Sequence, residues 1–114
     1  SYLLVPALMV ALVGACGGDD GGNDPPAAAS LGTSPTANLF VPPTLTVRVG
    51  QPVNITLGPT HNLDFENAAI ADLMTFGATG TRTFQTPGTY RYRCPEHGVA
   101  GSYTEGMVGT IVVQ

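Results

Sequence analysis

The chain has 114 residues, a formal charge of −4, fifteen glycines, ten prolines and no tryptophan. This length and composition suit one small β-rich domain with appended segments and leave no room for two domains. The four basic residues are all arginines and form no basic stripe, which disfavours nucleic-acid binding.

The chain begins with an apolar segment that has the properties of an export signal. Residues 3–15 are uncharged and almost wholly apolar, a run too short to span a bilayer but typical of a signal-peptide core. Val13-Gly14-Ala15-Cys16 resembles the lipobox of bacterial lipoproteins. The resemblance implies acylation at Cys16 and a membrane-anchored protein in the periplasm or at the cell surface. A plain secretory signal and a buried helix are the alternatives, and we expect the numbered chain to begin part-way into a precursor.

Residues 17–36 are dominated by glycine, proline, aspartate, alanine and serine. Such a composition buries too little apolar surface to offset its ordering entropy, so we predict a flexible tether there and a folded domain over residues 37–114. If Cys16 carries lipid, Cys94 is the single thiol of an exported domain. An odd cysteine in that setting indicates a functional role.

The domain is predicted to be all-β. Alternating apolar residues bounded by glycine and proline predict short strands with turns about every ten residues, typical of a β-sandwich or barrel. The predicted strands are 39–41, 44–49, 53–57, 61–65, 81–84, 89–93 and 107–113. Residues 66–75 are interpreted as one or two turns of helix or an irregular crossover. The turn at Thr86-Pro87-Gly88 predicts a hairpin between 81–84 and 89–93.

A set of metal-binding side chains follows strand 89–93. Cys94 and His97 lie three residues apart on a turn, Met107 precedes the last strand, and His61 follows an earlier one. Thiolate, imidazole and thioether together form a ligand set for copper, because soft sulfur suits Cu(I) and imidazole suits both oxidation states. The hypothesis is that His61, Cys94, His97 and Met107 hold one copper ion that carries single electrons.

Several motifs stand in an order that matches a known family. They are Phe40-Val-Pro-Pro-Thr-Leu-Thr-Val47, Val49-Gly50, His61-Asn62 with Phe65, Pro87-Gly88-Thr-Tyr90, Cys94-Pro-Glu-His97 and Gly106-Met-Val-Gly109. Together they resemble a cupredoxin of the plastocyanin type over residues 38–114. The resemblance implies a Greek-key β-sandwich with a type 1 copper site, in which Met107 is the weak axial ligand. It also implies that Asn62 steadies the thiolate from outside the ligand shell.

The same resemblance implies an electron carrier rather than an enzyme, which docks briefly with redox partner proteins and has no organic substrate. One departure leaves alternatives open. Nine residues separate His97 from Met107, more than is usual in plastocyanin-like proteins, so the axial position could be empty or filled by Glu105. The alternative functions are copper handling at the cell surface, or an open copper site that reacts with a small ligand.

Overall fold

The computed structural model describes residues 26–114, which form two packed four-stranded β-sheets. The strands are β1 (Ala29–Thr33), β2 (Phe40–Val41), β3 (Thr44–Val47), β4 (Pro52–Thr56), β5 (Asp64–Phe65), β6 (Thr79–Thr83), β7 (Gly88–Gly98) and β8 (Gly106–Val113). One sheet has the order β2-β1-β4-β6 and the other β3-β8-β7-β5. The predicted all-β sandwich is therefore confirmed.

Alternation along the strands places the core between the two sheets. In β8 every second residue is buried, beginning with Met107 and ending with Val113. Val53 and Ile55 of β4 are buried in the same way from the opposite sheet. This period of two is what a half-buried strand requires, and it explains why the sequence pattern located these strands.

An aromatic group fills the centre of the sandwich. The ring of Tyr92 on β7 packs edge-on against Phe40 at 4.8 Å and against Phe65 at 5.8 Å between ring centroids. Opposite Tyr92 on β8 lies Gly109, and a Cβ atom there would come within 2.5 Å of the Tyr92 ring. The absent side chain at this position makes room for the tyrosine.

The boundary predicted between tether and domain is wrong. Residues 29–33, assigned to the tether over 17–36, form β1, which lies inside its sheet between β2 and β4. Its pairing with β4 is parallel, and its Leu31 side chain is buried. Burial of this leucine together with two sets of backbone hydrogen bonds offsets the entropy of ordering the segment. The domain therefore extends further toward the N-terminus than residue 37.

The predicted hairpin between 81–84 and 89–93 is also wrong. β6 pairs with β4 in one sheet, whereas β7 pairs with β5 and β8 in the other. The turn at Thr86-Pro87-Gly88 thus carries the chain from one sheet to the other.

Residues 66–78 form an irregular crossover held by a bridge between Leu63 and Leu73, rather than a helix.

The predicted ligands His61, Cys94, His97 and Met107 all lie toward one end of the sandwich. Strand β1, the first strand of the described residues, begins at the opposite end. At that opposite end, Gln51 Nε2 donates a hydrogen bond to the carbonyl of Ala27 before β4 begins. The far end of β1 is fixed where Thr33 Oγ1 accepts a hydrogen bond from the Gly58 N–H, close to His61.

The predicted signal segment, the lipobox with Cys16 and the first part of the tether lie outside the described residues. Within residues 26–114 there is no helix with the length and apolar character that crossing a bilayer requires.

Candidate metal centre

Three of the four predicted ligands, His61, Cys94 and His97, come from two segments at the same end of the sandwich. Cys94 and His97 lie near the end of β7, beyond its last regular pair with β8 at Arg93. His61 lies in the turn after β4, where its N–H donates to the carbonyl of Gly58. Its own carbonyl accepts a hydrogen bond from the N–H of Gly77, so the crossover fixes this turn from the other side.

The three side chains converge on one point. Nδ1 of His61 and Nδ1 of His97 are 3.2 Å apart, and they lie 3.9 and 3.6 Å respectively from Cys94 Sγ. A point inside this triangle lies about 2.1 Å from all three atoms, close to the roughly 2.0–2.3 Å at which imidazole nitrogen and thiolate sulfur bind metals. The arrangement therefore fits a single metal ion in a plane of two nitrogens and one sulfur.

The site is screened from solvent on most sides. Cys94 and His61 are buried, whereas His97 is partly exposed. Burial lowers the pKa of His61, and the nearby imidazole of His97 lowers it further. Both effects favour the neutral ring, which is the form that binds a metal.

Asn62 is buried beside the thiol. Its Oδ1 accepts a hydrogen bond from Cys94 Sγ at 3.4 Å, and its Nδ2 donates to the carbonyl of Met74 at 3.5 Å. The side chain therefore touches the sulfur while the crossover holds the amide in place. This is a position from which a neighbour outside the ligand shell orients a ligand.

Met107 is buried near the start of β8, opposite the irregular part of β7 that contains Cys94 and His97. Glu105 is exposed two residues earlier. These positions favour Met107 over Glu105 as an axial ligand, and its ligation stays a prediction.

The long segment between His97 and Met107 is closed at its base. Gly98 pairs with Gly106, and a Cβ atom on Gly106 would lie 2.9 Å from the Gly98 Cα atom. The Gly106 φ of 83° is a conformation that glycine adopts readily. Residues 99–105, here named the lobe, therefore project beyond this neck, and His97 and Met107 stay close to it despite the nine residues between them.

Two plastocyanins resemble this chain over most of its length. No protein-family model matches the chain. The chloroplastic plastocyanin of Chlamydomonas reinhardtii is 36% identical over 97 residues, which span 77% of this chain and 67% of that protein. The plastocyanin of Tetradesmus obliquus is 33% identical over 102 residues, with the same shares covered. The chain belongs to the plastocyanin family. The predicted membership in plastocyanin-type cupredoxins is thereby confirmed.

Solved structures agree with the family assignment. The oxidized plastocyanin of the fern Dryopteris crassirhizoma superposes with a TM-score of 0.57 at 27% identity, covering 75% of this chain and 100% of that one. A methionine variant of amicyanin in its Cu(I) state gives a TM-score of 0.57 at 24% identity, covering 76% and 82%. The amicyanin likeness shows a shared fold.

One cluster close in sequence to the predicted ligands of this plastocyanin-family domain was not predicted. Asp64 Oδ2 accepts hydrogen bonds from Arg93 Nε at 3.0 Å and from the Tyr103 hydroxyl at 2.8 Å. The Arg93 guanidinium also lies over the Tyr103 ring, 5.0 Å from its centroid. The hydrogen bond to Asp64 is the main cause that raises the pKa of Tyr103. In the sequence, Arg91 and Arg93 alternate with Tyr90 and Tyr92, which indicates only that the two arginines share a strand face.

The surface beside the metal-binding end carries exposed apolar side chains. Met74 and Phe76 lie on the crossover that contacts Asn62 and His61, and Val99 lies two residues after His97. Each is about half exposed. Large apolar side chains exposed together in this way are typical of an interaction surface.

Proposed function

We propose that this chain is a type 1 copper protein that transfers single electrons between redox partners and is not an enzyme. The observation that carries the proposal is the convergence of His61 Nδ1, His97 Nδ1 and Cys94 Sγ on one point in a plastocyanin-family fold. Two imidazoles and a thiolate, with a buried thioether nearby, are a donor set that copper accepts in both of its oxidation states.

His61, Cys94 and His97 would hold the copper, with Met107 as the axial ligand. Bound copper would supply a centre that gains and loses one electron without breaking a substrate bond. The contribution of the protein is to restrict the movement of the ligands between the two oxidation states. Strand β7 and the two hydrogen bonds of the His61 backbone serve this purpose.

His97 is the proposed exit for the electron, because it is the one partly exposed member of the His–Cys–His group. The apolar side chains of Met74, Phe76 and Val99 would provide a small docking surface around it. A small apolar contact suits a redox protein that docks briefly and leaves.

The proposal includes export and attachment to a membrane. Its support is the apolar run over residues 3–15 and the segment Val13-Gly14-Ala15-Cys16 at its end, which resembles a lipobox. We propose that the protein is a lipoprotein of the periplasm or the cell surface, with acylated Cys16 as its anchor.

Titration of the purified metal-free protein with Cu(II) tests the proposed function. We expect an intense visible absorption band that saturates at one copper per chain, because a thiolate bound to Cu(II) absorbs strongly. Cys94→Ala should remain pale, whereas Met74→Ala, on the proposed docking surface, should develop the same colour as the unchanged protein. A pale wild-type solution, or equal colour in Cys94→Ala, would contradict the proposal.

The same sample separates the alternatives. Reversible voltammetry and a spectrum unaffected by azide support an electron carrier. Tight Cu(I) binding without a reversible wave would support copper handling instead, and a spectrum altered by azide would support an open site that reacts with small ligands.

A further inference from the structure

The cluster of Asp64, Arg93 and Tyr103 joins the three chain segments that carry the proposed ligands. Asp64 on β5 follows His61 by three residues, and Arg93 immediately precedes Cys94. Tyr103 belongs to the lobe between His97 and Met107. A single carboxylate oxygen, Asp64 Oδ2, receives hydrogen bonds from both other members. The cluster thus connects all three ligand segments outside the metal-binding atoms.

The contacts of this cluster are partly shielded from water. The Arg93 and Asp64 side chains are 18% and 19% exposed, whereas Arg91 and Glu66, two residues further along the same pair of segments, are each 41% exposed. Ion pairs weaken as solvent access increases. The Asp64 cluster should therefore hold its partners more firmly than the Arg91–Glu66 pair does.

The lobe is folded as a unit and is fastened to the sheet by this cluster. Ser102 Oγ accepts hydrogen bonds from the N–H groups of Thr104 and Glu105, and the Ser102 N–H donates to Val99. The side-chain hydrogen bonds that join the lobe to the sheet are those of Tyr103 with Asp64 and of Arg93 with the Val99 carbonyl. At the neck, the pairing glycines provide no side chains that could restrain the lobe.

We propose that Asp64, Arg93 and Tyr103 are positioning residues of the metal centre. By holding the lobe against the sheet, they keep the neck closed, and the neck in turn fixes how His97 and Met107 approach the metal. The cluster compensates for the length of this ligand segment, because nine residues without such a restraint would leave the two ligands poorly fixed relative to one another.

The inference rests on the proposed copper site. Its test includes one measurement, hydrogen exchange in the metal-free proteins, that does not depend on copper. Tyr103→Phe removes the hydroxyl but keeps the ring under Arg93 and the net charge. Asp64→Asn removes the shared carboxylate. Glu66→Gln is the matched control, because it breaks a neighbouring arginine–carboxylate pair that has no contact with the lobe among the described residues.

Hydrogen exchange is measured first, on the metal-free proteins. We expect the Ser102, Thr104 and Glu105 amides to exchange about tenfold faster in Tyr103→Phe and in Asp64→Asn, because each loses a hydrogen bond to a charged group. Glu66→Gln should match the unchanged protein. Equal exchange in all four proteins would show that the cluster does not hold the lobe and would overturn the proposal.

Copper-loaded samples are examined next by visible and electron paramagnetic resonance spectroscopy, with and without azide. We expect Tyr103→Phe and Asp64→Asn to show a shifted spectrum that azide perturbs, and to release copper to a chelator several-fold faster than Glu66→Gln. Faster amide exchange combined with an unchanged spectrum and unchanged copper release would show that the cluster holds the lobe without affecting the metal centre. That result would overturn the proposed positioning role. If the unchanged protein binds no copper, the proposed function fails and this role fails with it, whereas the exchange result still decides whether the cluster holds the lobe.

Discussion

Tyr92 is the largest side chain fully enclosed in the core, and its hydroxyl is buried without a hydrogen-bond partner among residues 26–114. Burial raises the pKa of this hydroxyl, so it stays protonated. An unpaired buried hydroxyl costs free energy, yet the ring around it contributes packing with Phe40 and Phe65. Substitutions can separate the cost of the buried hydroxyl from the stabilisation contributed by the ring.

Tyr92→Phe should raise the free energy of unfolding by about 1 kcal/mol, because it removes the unpaired hydroxyl and keeps the ring. Denaturant unfolding of the metal-free protein measures the change. Gly109→Ala is the contrasting variant, since its new methyl group would meet the Tyr92 ring, and it should lower the free energy of unfolding by about 1–3 kcal/mol. A loss of stability in Tyr92→Phe would show that the hydroxyl has a partner.

At the scale of single elements, β1 is the strand that the sequence pattern did not predict. It lies between β2 and β4, so its removal would separate β2 from the rest of the sheet and expose the edge of β4. Leu31 is the buried anchor of this strand, at 2% exposure. The segment is therefore a structural part of the domain, despite a composition that suggests a linker.

Leu31→Ala should lower the free energy of unfolding by about 2–5 kcal/mol through loss of burial and creation of a cavity. Leu39→Ala is the matched control, because it deletes the same atoms from a side chain that is 57% exposed, and it should change stability by no more than about 0.5 kcal/mol. Thermal or denaturant unfolding of both variants measures the difference. Equal effects would show that β1 adds little to the fold.

The sequence was informative wherever the pattern was local. Alternation located β4, β7 and β8, and the Cys94–His97 spacing together with His61 predicted the group that the structure brings together. β1 was missed because it contains one large apolar residue, Leu31, next to Gly32, so no alternation is visible. Its stability comes from pairing with strands distant in the sequence, which no local pattern reports.

The wrong hairpin and the missed Asp64 cluster also depend on residues that are distant in the sequence. Proline and glycine at 87 and 88 predict a turn but do not say whether the strands beside it pair with each other or belong to opposite sheets. The Asp64 cluster escaped notice because its members are separated by up to 39 residues and meet only in the folded chain. Arginine on a strand face is most often solvated, so the pattern carried no signal for the role of Arg93.

At the scale of the whole molecule, the two cysteines should have separate roles. In a chain supplied with a start methionine and a basic leader in a bacterial host, Cys16→Ala should move the protein from the membrane fraction to the soluble fraction and abolish labelling by fatty acid. Cys94→Ala, the matched control, should stay membrane-bound and labelled while losing the copper colour. Membrane retention or fatty-acid labelling of Cys16→Ala would contradict anchoring at this residue.

The parallel pairing of β1 with β4 determines at which end of the sandwich the preceding chain is attached. β1 runs from the Gln51 end toward His61, a distance of about 17 Å over its five residues. A chain anchored upstream of Ala29 would therefore join the sandwich at the end opposite His61, Cys94 and His97. The proposed docking surface around His97 would then lie away from the point of attachment, so an anchor and a redox partner would not compete for the same face of the domain.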